Sequence, residues 1–379
     1  MRYSILAGLA ILLIVIMAGL GIRTESTGKE TTLRAVETAI VPQPSKPILP
    51  ASAQTWRRIW SYPAGAPLSG APVGYNGGWI VTTDKGRVVA LDAKGVERWS
   101  CSLTNLSFAG SAAVAGETVV VAGSDGSVAG LDLASGKILW QAPGAAPLRH
   151  GPQAVRAGGT WAVVLLTPEN GVLRCLDARD GRELWVSEPT NRSDGPPAAE
   201  GSLIAFGNCD SAIHLFNATN GVQMGQVPVG ADSQMAGGVF VSEGRVYGGT
   251  RAGELVCAEI ASLALSWHVA LAGGEAFGTP VAARGLVAMG TAEGAVAAFD
   301  AKTGVGRWKV SVSNAVSALC IEDDSIFAVA GGRLLGLRLA DGGQFFNLPI
   351  GDNVNGPVCN NHVLAVSDDG GNVIAVTGN

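Results

Sequence analysis

Charge is scarce in this 379-residue chain: Asp, Glu, Lys and Arg make up only 15% of it, against about 25% in an average soluble domain. Long solvated helices need those residues on their exposed faces, so helices are excluded as the main element. The net charge is −5 and no Lys/Arg-rich stripe occurs, so the electrostatic footprint of nucleic-acid binding is missing. The short motifs of catalysis are missing too. There is no H-E-x-x-H, G-x-S-x-G or G-x-x-x-x-G-K-S/T run, and no D-x-D-x-D-G calcium loop. The four histidines (His150, His214, His268, His362) share no metal-ligand spacing, and only His150, between two repeats, is kept as a site candidate. No catalytic residue, cofactor or metal is therefore expected. Six cysteines (Cys101, Cys175, Cys209, Cys257, Cys320, Cys359) contain no C-x-x-C and no adjacent pair. They allow 15 disulfide connectivities, but small buried thiols are the expected state, Cys175 and Cys257 falling in apolar strands.

Glycine, by contrast, is abundant at 53 residues, which suits many short strands joined by tight turns. One long apolar run exists. Residues 5–22 (ILAGLAILLIVIMAGLGI) are uncharged and come shortly after Arg2. At about 1.5 Å per residue, a helix of this length just reaches across a hydrocarbon core of about 30 Å. It reads as a cleaved signal peptide, with Gly19-Leu20-Gly21 as a weak cleavage site, or as an uncleaved membrane anchor, which the unbroken length favours. Either exports the rest of the chain, placing it in the cell envelope outside the cytoplasm. Residues 23–55 carry no apolar period and include Val41 to Pro50 (VPQPSKPILP), a proline-rich linker.

From Trp60 onward one pattern recurs. Its sharpest copies are Val119 to Gln141 (VVVAGSDGSVAGLDLASGKILWQ) and Leu286 to Val310 (LVAMGTAEGAVAAFDAKTGVGRWKV). The apolar residue before the acidic turn falls at Leu91, Leu131, Leu176, Phe216, Ala258, Phe299, Leu337 and Ala375, giving intervals of 40, 45, 40, 42, 41, 38 and 38 residues. Periods near 40 with four short strands each are the signature of propeller blades. Each copy has a glycine turn such as Ser124-Asp125-Gly126, an acidic turn such as Asp132 to Gly136, and a last strand carrying Trp99, Trp140, Trp185, Trp267 or Trp308, with Phe346 in the seventh. The fourth copy has Met224 and Gly225 where Trp is expected, and the fifth has Leu263 where Gly is expected. A residue needed once per blade serves turns and sheet packing, so these columns read as structural.

The eighth copy ends after its third strand, whereas Trp60 precedes the first copy with no strands of its own. Trp60 stands 12 residues before Pro72, as Trp140 stands before Pro152. The segment at Trp60 is therefore expected to complete the last sheet. The expected class is all-β, an eight-bladed β-propeller over residues 56–379 with N-/C-terminal strand closure, preceded by a hydrophobic helix (1–22) and the linker (23–55).

The repeat, roughly G-S-x-D-G-x-V-x-A-L-D-A-x-T-G-x-x-x-W, resembles the PQQ-like tryptophan-docking repeat of quinoprotein dehydrogenases and of the BamB-type assembly-factor propellers. The resemblance covers about residues 56–379. Chain length, short inter-blade loops and the lack of adjacent cysteines resemble the BamB type. It implies an envelope scaffold that binds protein partners, a barrel-assembly complex among them, with residues 5–22 at the membrane. The alternatives are a ligand- or glycan-binding propeller and a PQQ-dependent dehydrogenase. In the BamB type an arginine-bearing loop before blade 4 and an aspartate-bearing loop before blade 5 contact the partner. The matching segments here are Ser187 to Pro197 and Val227 to Gly237. They supply Arg192, Asp194, Asp232 and Gln234 as candidate contacts, with Met235 and Phe277 as apolar loop tips on the same face. Thr190 and Asn191 replace the leucines that accompany the family's arginine. Trp56, Arg57 and Arg58 form a second contact patch or pack the seam. The resemblance makes Trp60, Trp99, Trp140, Trp185, Trp267 and Trp308 docking residues.

Overall fold

The computed structural model describes residues 56–378 except 104, 231, 232, 236, 272, 273, 313, 352 and 353. The hydrophobic segment and the linker lie outside the described residues. Within them every regular element is a strand, and the 32 strands form eight four-stranded antiparallel sheets. The innermost strands of successive blades touch in sequence. The innermost strand of blade 8, Asn355–Asn360, touches that of blade 1, Val73–Tyr75, so the ring is closed.

Closure takes the expected route. Arg57–Pro63 pairs antiparallel with Asn372–Thr377, Trp60 opposite Ala375, and becomes the outermost strand of blade 8. This covers an edge that would otherwise offer unpaired backbone groups. The second and third strands of each blade are the most buried: Ile80, Val88 and Ala90 of blade 1 pack on Val119, Val121 and Ala129 of blade 2 in one cluster. Outermost strands are half exposed, and along Gln223–Pro228 and Ala264–Ala270 exposed and covered residues alternate over most of the strand.

The acidic turn bonds itself. The Asp132 Oδ1 accepts from the Ser135 amide at 2.8 Å and the Ser135 hydroxyl at 2.5 Å. Its glycine is needed twice over. Gly136 has φ +71°, and a Cβ there would lie 2.4 Å from the Trp99 ring of the preceding blade. The indole Nε1 then donates to a carbonyl of the blade that bears the glycine. Trp60, Trp99, Trp140, Trp185, Trp267 and Trp308 reach Ala93, Leu133, Ala178, Ala218, Ala301 and Leu339 at 2.8–3.3 Å. Six of the eight seams thus share one joint.

The other two seams differ. Gly225 stands in register where the other blades have Trp, opposite Leu215, and a Cβ on it would meet Leu263 Cδ1 at 2.5 Å. The bulky side chain comes from blade 5 and the gap from blade 4, so the two departures are one reversed pair. At the seam of blades 7 and 8, Trp56 packs between Phe327 and Phe346, with ring centroids at 4.4 and 6.3 Å. Of the two readings of the segment from Trp56 to Arg58, Trp56 takes the packing one.

The cysteines need a correction. Cys175 and Cys257 are buried thiols, each pushed up to about 12 by burial. Cys320 and Cys359, however, form a disulfide between the innermost strands of blades 7 and 8. It closes a loop of 39 residues, for which chain entropy gives a stabilisation of about 4 kcal/mol.

Candidate partner-binding site

Loops leading from an outermost strand into the next blade emerge at one end of the ring, beside the turns joining second and third strands. There the backbone fixes the arginine loop before blade 4. The Ser193 amide donates to the Pro168 carbonyl at 2.9 Å, the Ser193 hydroxyl to the Gly207 carbonyl at 2.7 Å, and the Cys209 amide to the Arg192 carbonyl at 2.8 Å. These bonds hold Arg192 and Asp194 on a stiff segment.

Asp194 is the hub. Its side chain is 13% exposed, and three guanidinium groups converge on it. Arg192 Nε lies at 3.0 Å, Arg149 Nη1 at 3.3 Å and Arg251 Nη2 at 3.4 Å. Arg149 also pairs with Glu169 at 3.0 Å. His150 Nε2 lies 2.8 Å from the Asp194 carbonyl. Burial and the Asp194 charge both raise the Cys209 thiol above its ordinary value. Among the described residues, these ion pairs join three guanidinium groups to two carboxylates, and each arginine stays 41–49% exposed. Such exposed pairs are worth about 0–1 kcal/mol each for stability. Their consequence is chemical: planar donors held in place beside a carboxylate bind further carboxylates with directional hydrogen bonds.

Next to this hub, the Arg251 guanidinium carbon lies 5.8 Å from the centroid of Phe277, which is 44% exposed. Gln234 is exposed, and its carbonyl accepts from the Arg251 amide at 2.8 Å. The structure therefore gathers Arg192, Asp194, Gln234, Phe277 and His150 on one face. Asp232 lies outside the described residues. Met235 is a correction. It is fully buried, because Gly207 and Gly248 leave room for it; a Cβ on Gly248 would lie 2.2 Å from its Cε. It belongs to the core between blades 4 and 5. Arg149, Arg251 and Glu169 were missed. Arg149 had a signal, its place beside His150 in the loop before blade 3; Arg251 and Glu169 sit in ordinary turns and had none.

The remaining histidines have structural partners. His214 is buried between Asn208 and Asp210, and His268 pairs with Glu254. His362 joins Glu322 and Asp323 in the one group of potential metal ligands among the described residues. Arg284 bonds Asp323 and Asp324 beside it.

The family model described as outer membrane protein assembly factor BamB matches residues 27–221 and 169–379. Outer membrane protein assembly factor BamB of Bordetella pertussis is 29% identical over 262 residues, 65% of this chain and 66% of the relative. That of Pseudomonas aeruginosa is 24% identical over 176 residues, 43% and 44% of the two chains. The matches thus span less than two thirds of these relatives' lengths. Among solved structures, BamB from Moraxella catarrhalis superposes with TM-score 0.73 at 17% identity, covering 85% of this chain and all of the other. Quinohemoprotein alcohol dehydrogenase from Comamonas testosteroni superposes with TM-score 0.65 at 12% identity, covering 85% and 76%. Both likenesses concern the fold alone. Among the described residues, the one group of potential metal ligands does not suit calcium, because it contains a histidine and faces a guanidinium, whereas calcium takes a shell of oxygens.

Proposed function

The chain belongs to the family of outer membrane protein assembly factor BamB, and from that premise we propose that it is a non-enzymatic envelope scaffold whose arginine-bearing loop face docks protein partners of an outer-membrane assembly complex. The observation that supports this reading most is the convergence of Arg149, Arg192 and Arg251 on Asp194 beside exposed Phe277. Arginine and aromatic side chains at the centre of a patch are what protein interfaces use as anchors, and the partly exposed guanidinium groups suit a partner surface bearing carboxylates. In this reading residues 5–22 hold the ring at the inner membrane on the extracytoplasmic side and residues 23–55 serve as the tether. The ring itself carries no reaction; its tryptophans join blades.

Affinity capture of the tagged full chain from solubilised membranes tests the proposal. The expected result is recovery of barrel-assembly proteins, reduced about tenfold or more by Arg192→Glu, which places a like charge beside Asp194 and towards the partner. Unchanged recovery with Arg192→Glu and Arg251→Glu combined would overturn the assigned face, and recovery of no assembly protein would overturn the function. A second reading, a propeller that binds a small ligand, is favoured by a groove at the opposite end of the ring.

A further inference from the structure

In seven blades the second strand begins at the residue paired with the last residue of the third strand: Gly78 with Asp92, Thr118 with Asp132, Leu203 with Asn217, Arg245 with Glu259, Leu286 with Asp300, Ser325 with Arg338 and Val363 with Thr377. Blade 3 breaks the rule. There Ala162 pairs with Asp177, yet pairing with the innermost strand continues through Trp161 opposite Arg156 and Thr160 opposite Ala157. Four extra residues thus extend this hairpin, by about 7 Å at the usual rise. They account for the long interval of 45 between Leu131 and Leu176.

The projecting hairpin makes one wall of a groove of about 520 Å³ against blade 2, lined also by Glu117, Asp132, Leu139 and Arg179. Volumes of about 300–1,000 Å³ are those of small-ligand sites. Four side chains describe the ligand that fits. Arg156 lies 3.8 Å over the Trp161 ring and donates to the Gly159 carbonyl at 3.1 Å, which orders its guanidinium in advance; it makes no ion pair among the described residues. Arg179 is held by a two-pronged bond to buried Asp177 at 2.8 and 3.1 Å and remains 70% exposed. Opposite in sign, Glu117 is exposed and makes no ion pair among the described residues, while Asp132 is turned onto Ser135. Leu139, 47% exposed, adds an apolar surface.

From these residues we infer that the groove between blades 2 and 3 binds a short peptide with free termini. Its carboxylate meets Arg156 and the outer side of Arg179, its ammonium meets Glu117, and its apolar side chain lies on Leu139. A neutral sugar fits less well. Sugars stack on open aromatic faces, whereas Trp161 is occupied on one face by Arg156 and packs along its Cδ1–Nε1 edge on Gly116. The inference does not depend on the assembly reading, since the groove lies at the other end of the ring.

Calorimetric titration of the full chain with the tripeptide Ala-Leu-Ala tests it, alongside the C-terminal amide and the N-acetyl form. Saturable binding is expected for the free peptide, weakened about tenfold or more by amidation or by Arg156→Ala, since either removes a charge-assisted bond. Arg156→Lys should restore only part, because an ammonium cannot reproduce the fork. Acetylation and Glu117→Gln should each weaken binding, and less together than the sum of the two. A thermal melt of each variant shows that the ring is intact. Equal binding of acid and amide, wild-type binding by Arg156→Ala in a folded ring, or no saturable binding at millimolar peptide would overturn the site.

Discussion

Seven of the eight seams set one large side chain against a glycine, and register decides which blade supplies it. At six seams an indole reaches forward onto a glycine; at the seam of blades 4 and 5 Leu263 reaches back onto Gly225, at φ +52°. The carbonyl of Ile260 comes after Glu259 as that of Ala301 comes after Asp300, so it occupies the acceptor position that an indole would use. Gly225→Trp alone should clash with Leu263, and Leu263→Gly alone should leave the seam unfilled. The double variant rebuilds the joint of the other seams. Its loss of stability in denaturant melts should fall short of the summed single losses by about 1 kcal/mol or more, the scale of coupling between residues in contact. Additive losses would show that Leu263 and Gly225 are independent accidents. Both departures were visible in the sequence, but only as two separate irregularities. Their meaning needed the register, because Gly225 and Leu263 lie 38 residues apart in the chain and belong to different sheets.

At the scale of elements, the closing strand carries the most weight. Arg57–Pro63 supplies the outer edge of blade 8 and presents Trp60 to blade 1, where a Cβ on Gly95 would lie 2.5 Å from its ring. Removing residues 56–62 takes away nearly the entire strand and two seam contacts, Trp56 and Trp60, leaving blade 8 with an open edge. The truncated ring should melt at a clearly lower temperature than the full chain by circular dichroism. Equal melting would mean that closure contributes nothing. This strand was legible beforehand because an unfinished repeat at one end and a surplus strand at the other admit one solution. The disulfide was not. Cys320 and Cys359 stand 39 residues apart, one more than the 38-residue interval of these two blades, and spacing does not say whether side chains on neighbouring strands face one another. They do so on the innermost strands, where blades converge; Cys175 and Cys257 stand on third strands of blades 3 and 5, which do not meet. Met235 misled for a related reason. Irregular loops have no period from which the direction of a side chain can be read, and the space beneath it is made by Gly207 and Gly248 in two other strands.

For the whole molecule, the propeller's geometry separates two chemistries. Turns between second and third strands and the connectors between blades emerge at one end, which carries Arg149, Arg192, Arg251 and Phe277. Turns between first and second and between third and fourth strands emerge at the other, which carries Arg156, Trp161 and Arg179. Between them lie four-stranded sheets whose middle strands are almost wholly buried, a stiff body joined seam by seam and stapled between blades 7 and 8. A close-packed interior of this kind gives no two-state element through which one end would bias the other. Arg192→Glu should therefore lower capture of assembly partners while leaving the affinity for Ala-Leu-Ala within about twofold of the unaltered chain, and Arg156→Ala should do the reverse. The doubly substituted chain should show both losses with neither enlarged, the additivity expected of sites that share no residues. Loss of peptide binding on Arg192→Glu, measured by the same titration in a ring that still melts normally, would show the two ends coupled and would require a movable element among the blades.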